Sequence, residues 1–116
     1  MGQDKENKIK TLKSKKQYSE LLEYANNLPP NKDKYLLKAN TLMHLKKWKE
    51  LIECCDKGLE EDDESEFFNM KGRAHGKLGN MQEKADNTRK AISLDPSVPA
   101  YYRNLGAALY KLKNYE

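Results

Sequence analysis

Apolar residues recur along this chain at helical spacing, and the arrangement repeats with a period of 33 or 34 residues. A shift of 33 pairs Tyr35 with Phe68, Ala39 with Gly72, Leu45 with Leu78 and Trp48 with Met81. The same shift pairs Glu50 with Glu83, Gly58 with Ala91, Leu59 with Ile92 and Asp62 with Asp95. A further shift of 34 brings Phe68 onto Tyr102, Gly72 onto Gly106, Lys77 onto Lys111 and Leu78 onto Leu112. Each unit reads as helix, short turn, helix. The pattern predicts helices near 34–43, 48–59, 67–77, 81–93 and 100–112. Gly79-Asn80 and Lys113-Asn114 supply turn residues able to take the left-handed conformation that ends a helix. Second helices are expected to open at Trp48, Met81 and Tyr115, and Ser65 stands where an N-cap is expected.

The first thirty residues carry the pattern only weakly. Tyr18-Ser-Glu-Leu21-Leu22-Glu repeats Trp48-Lys-Glu-Leu51-Ile52-Glu at an offset of 30, which predicts a second helix over 17–28, halted by Pro29-Pro30. Ile9 and Leu12 are the only apolar residues between Ile9 and Lys16. Residues 1–16 therefore read as a basic, frayed or weakly helical segment, and 17–116 as one helical domain.

Composition supports an all-α chain. One Val, three Ile and three Thr are too few β-branched residues for a sheet, while residues that keep their rotamer freedom in a helix dominate. The 116 residues suffice for one small domain. No apolar run approaches the ~20 residues of a membrane span, and the N-terminus lacks the apolar stretch of a signal peptide. Adjacent Cys54 and Cys55 cannot build a disulfide framework, and they read as ordinary helix-packing residues. Together these features predict a cytoplasmic protein. The net charge of +4 is uneven: residues 1–50 hold 12 basic and 6 acidic side chains, a balance of +6. No Arg-rich stripe accompanies it, so nucleic acid is not an expected partner.

The units resemble the tetratricopeptide repeat, a helix–turn–helix of about 34 residues. The likeness is strongest in Tyr102-Arg-Asn-Leu-Gly-Ala-Ala-Leu-Tyr-Lys-Leu-Lys-Asn-Tyr-Glu and in Ala91-Ile-Ser-Leu-Asp-Pro96, and it covers about residues 30–116. Departures are Lys38 and Lys71, where the family usually has Leu, and Lys84, where it usually has Ala. The resemblance implies a solenoid of about three repeats, with a degenerate first unit and a truncated last one. The chain stops at Glu116, where another second helix is due, so it reads as a piece of a longer solenoid or as one ended by its own cap.

The resemblance also implies a non-catalytic binding scaffold whose first helices line a concave groove. By alignment that groove takes Asn40, His44, Asn69, Arg73, Lys77, Arg103, Asn104 and Lys111, with Leu37, Met43 and Met70 as apolar lining. The polar set is cationic and amide-rich without a carboxylate, which suits an extended acidic peptide. A solvated basic face is the plainer reading. Arg73 and Arg103 are expected to meet one peptide together, with Asn40, Asn69 and Asn104 holding its backbone. Relatives clamp the carboxylate tails of heat-shock chaperones, a partner that would make the protein co-chaperone-like. Only Asn40 falls on a clamp position here; Leu36, Met70, Ala100 and Asn104 occupy the others. The alternative is a structural segment that self-associates through open solenoid ends.

Other chemistry is not expected. Gly72-x-x-x-Gly76-Lys77 is one residue too short for a phosphate-binding loop and has Leu78 where a hydroxyl must reach the magnesium. Glu60-Glu61-Asp62-Asp63-Glu64 lacks the alternating ligands and central Gly of a calcium loop. His44 and His75 stand apart from cysteines and carboxylates at metal spacing. No nucleophile set is present, so neither enzyme activity nor a cofactor is predicted.

Overall fold

The computed structural model describes residues 2–114 and consists of seven helices joined by short turns: α1 (Gly2–Ser14), α2 (Tyr18–Asn26), α3 (Lys32–His44), α4 (Trp48–Glu61), α5 (Ser65–Lys77), α6 (Met81–Leu94) and α7 (Pro99–Asn114). No strand occurs among the described residues. Each helix packs on the next, as short connections dictate, and α3, α5 and α7 also touch in series as an inner layer. The result is elongated, 52 × 24 × 22 Å with a radius of gyration of 15.0 Å. A compact domain of this length would have about 13 Å.

The central core joins Ala39 and Leu42 of α3, Leu51, Cys54 and Cys55 of α4, and Phe67, Met70 and Ala74 of α5. Phe67 is its largest fully buried side chain, and its ring lies against Gly58 of α4, leaving no room there for a Cβ. Trp48, at the start of α4, is mostly though not fully buried. It packs on the same cluster from the rim, with Lys77 Nζ 5.9 Å from its ring centroid. A second cluster of Leu12, Leu21, Ala25 and Leu37 ties α1 and α2 to α3. Leu12 anchors the α1 helix although its sequence is nearly all polar.

Two local expectations change. Ser65 is not an N-cap; Glu64 holds that place, and Ser65 lies buried in the first turn of α5 with its hydroxyl 3.0 Å from Tyr101 Oη. The final helix runs through Asn114, past the turn expected at Lys113-Asn114. Tyr115, expected to open another helix, lies outside the described residues. The left-handed turn residue foreseen at Gly79 is there, with φ +87°. Lys46 and Lys16, at φ 58° and 55°, fill the same place in the preceding turns without being glycine. Of the family departures, Lys71 pairs with Asp56 of α4 at 2.7 Å.

Candidate functional site

Four cations converge between the last turn of α5, the first turn of α6 and the last turns of α7. Arg73, Lys77, Lys84 and Lys111, with Gly76, Met81 and Asn104, line a pocket of about 260 Å³. No carboxylate among the described residues lines it. Arg73 and Lys77 lie one turn apart on α5, as helical spacing requires. Lys111 comes from the equivalent position of the next repeat.

Lys84 enters differently, from α6 in the outer layer, with its aliphatic stem laid across Gly76. A Cβ on Gly76 would stand 2.7 Å from Lys84 Cδ, so the missing side chain is the opening through which the lysine passes. Burial, followed by the charges of Lys111, Lys77 and Arg73, lowers the Lys84 ammonium below the ordinary lysine range. Among the described residues, no ion pair neutralises these four cations.

A polar seam beneath it holds α7 onto α5. Asn104 Nδ2 donates to Asn69 Oδ1 at 2.8 Å, and Asn69 Nδ2 donates to Glu66 Oε1 at 3.3 Å. Tyr101 Oη donates to Glu66 Oε2 at 3.1 Å; burial of the phenol raises its pKa. Asn69 is buried and its amide is spent in this seam, which removes it from the set expected to hold a peptide backbone.

A second, smaller hollow of about 190 Å³ lies where α3 meets α1 and α2, lined by Lys13, Tyr18, Leu21, Asn40, Thr41 and His44. Its wall is a stacked pair, the Tyr18 and His44 rings 4.4 Å apart and 3° from parallel. Asn40 Nδ2 donates to Leu36 O at 3.1 Å.

The sequence-predicted residues thus divide. Arg73, Lys77, Asn104 and Lys111 come together in one pocket; Asn40 and His44 line the other. Arg103 lines neither. It takes the repeat place of Asn69, which turns toward the following first helix rather than into the hollow. Leu37 and Met70, expected as apolar lining, are core residues instead. The repeat of first helices carries no signal for Lys84, which lies on a second helix, although its departure from the family's usual Ala is visible in sequence.

No protein-family model matches the chain. A stretch of 52 residues is 40% identical to an SGT1 homologue of Oryza sativa subsp. japonica; it takes in 45% of this chain and only 14% of the rice protein. The structure is similar to the OM64 TPR domain of Arabidopsis, with TM-score 0.80 and 18% identity over 88% of each chain. It is equally similar to the second TPR domain of human RPAP3, solved in complex with the HSP70 peptide SGPTIEEVD. That TM-score is 0.81, at 17% identity over 89% of this chain and 90% of the other.

Proposed function

On the premise that this chain has the tetratricopeptide-repeat fold, we propose that it is a protein-interaction scaffold whose concave face binds an extended acidic segment of a partner protein. The observation that carries this reading is the convergence of Arg73, Lys77, Lys84 and Lys111 in one pocket without a lining carboxylate among the described residues. The arginine fork offers a carboxylate two parallel hydrogen bonds, and the lysines add point charges. An exposed ion pair contributes only about 0–1 kcal/mol, so several must act together. The peptide bound to the RPAP3 domain carries three acidic side chains, and a chaperone tail of that kind is one occupant that fits. Recognition would use Arg73 and Lys111 rather than the usual clamp positions, four of which hold Leu36, Met70, Ala100 and Asn104.

The test is Arg73→Glu with Lys111→Glu, followed by fluorescence anisotropy against acidic and charge-neutral peptides at low and high salt. The acidic peptide is expected to bind the unaltered protein, to weaken with salt as charges beyond ~8 Å are screened, and to be lost in the double variant. Arg103→Glu, outside the pocket, is expected to bind as the unaltered protein does. Equal binding by the double variant would remove the proposal.

A structural role as one segment of a longer stack is favoured by a separate observation. Tyr102 and Leu109 are exposed on α7, and Gly106 has open space around it, whereas its repeat equivalent Gly72 is covered by α6. Self-association through that face, read as a concentration-dependent mass by light scattering, would put this second role ahead.

A further inference from the structure

We propose that Lys84, passing through the Gly76 opening, makes the inner-face pocket a site for a doubly charged phosphoryl group, so that the partner segment is bound preferentially when phosphorylated. The proposal deepens the acidic-segment reading and rests on it.

The placement of Lys84 is the starting observation. A lysine on an outer helix ordinarily keeps its stem along the surface and its ammonium in water. Here the stem crosses Gly76 at a distance no Cβ would allow, and the side chain lines the inner pocket. Gly76 costs α5 about 1 kcal/mol relative to Ala, with a normal helical backbone that does not itself require glycine. The glycine makes structural sense as the space Lys84 occupies.

Charge count then selects the ligand. A single carboxylate brings one negative charge and two oxygens to a pocket with one guanidinium and three ammoniums. A phosphoserine or phosphothreonine brings a charge of about −1.5 to −2 at one point, with three acceptor oxygens. A carboxylate bound by the Arg73 fork has only the remaining lone pairs of its two shared oxygens for the lysines, whereas the phosphoryl group keeps a third, unshared oxygen and its extra charge for Lys84 and its neighbours. The lowered pKa of Lys84, caused by burial and then by Lys111, Lys77 and Arg73, agrees with a cluster that no carboxylate among the described residues lines.

The measurement uses three peptides identical except at one position, carrying Ser, Glu or phosphoserine within an acidic segment, titrated by fluorescence anisotropy. Phosphoserine is expected to bind about tenfold more tightly than Glu, as fits charge-assisted contacts made twice over. In Lys84→Met, which keeps the stem's packing, both acidic peptides are expected to weaken, the phosphoserine peptide by about tenfold more, so that the ratio of the two affinities falls to about one. Gly76→Ala, which closes the opening, is expected to do the same, with circular dichroism confirming that both variants are folded. Lys84→Arg is expected to retain the preference. Inorganic phosphate at millimolar concentration, as the separate probe, distinguishes a free-phosphate site from a segment reader; displacement of all three peptides alike would mark the former and overturn the partner-segment form. Equal affinity for the Glu and phosphoserine peptides overturns the proposal while leaving the acidic-segment reading intact. So does a preference that survives in Lys84→Met. Failure of all three peptides to bind would overturn both.

Discussion

Phe67 shows what a single side chain settles in this molecule. It is fully buried where α4 meets α5, with its ring against the bare backbone of Gly58. Phe67→Ala is expected to cost about 3–5 kcal/mol, read as a lowered denaturation midpoint. Gly58→Ala is expected to cost about 1–3 kcal/mol, because the added methyl must displace that ring. Trp48→Ala, made at the rim, is expected to cost less than Phe67→Ala. The repeat could not reveal this ranking: alignment marks Phe68, with Tyr35 and Tyr102, as the recurring aromatic and sets Phe67 against Lys34, and only the crossing of α4 and α5 seals Phe67 instead. The cysteines were legible as packing residues, and both are buried. Burial pushes the Cys54 thiol up to about 11 and raises Cys55 further. With that value about one Cys54 in a thousand is thiolate at pH 8, and only the thiolate reacts. A maleimide or disulfide reagent at pH 8 is expected to leave both thiols unmodified in the folded protein. It should label both in denaturant; rapid labelling of the native protein would contradict the burial.

At the scale of elements, helix positions were nearly all written in the sequence. Both ends of the five helices expected from 34 onward agree within about two residues, because apolar spacing and the terminating Gly, Asn and Pro point the same way. The exceptions have physical causes. Helix α1 extends beyond its apolar residues because buried Leu12, with Ile9 packed beside it, gives it a place in the α2–α3 cluster. Ser65 is inside α5 because its hydroxyl is drawn to Tyr101, an attraction from 36 residues away. Turn chemistry was half visible: Gly79 announced its left-handed backbone, whereas Lys46 takes the same conformation with a side chain that opposes it. Left-handed backbone costs an ordinary residue roughly 1–2 kcal/mol. Gly79→Ala is therefore expected to lower stability by about that amount, and Lys46→Gly to raise it by up to about 1 kcal/mol. Urea midpoints with unchanged slopes would check both.

For the whole molecule, the inner face was legible as far as each repeat presents the same positions. Arg73, Lys77 and Lys111 follow from that rule. Asn69 and Arg103 do not, because exposure there depends on whether another first helix comes next. Asn69 is covered by α7, and Arg103 lines neither of the two hollows. Lys84 breaks the rule from the other layer, and no reading confined to first helices could place it. The same serial arrangement has a mechanical meaning. Contacts run from each helix to its near neighbours along a body 52 Å long, and none among the described residues fastens α1 to α7. A pull applied at the two ends loads these contacts one after another, not all together as in a sheet sheared along its strands. Stretched in an optical trap, the protein should lengthen in several small steps at modest force and rewind on release, behaving as a short spring between whatever holds its ends.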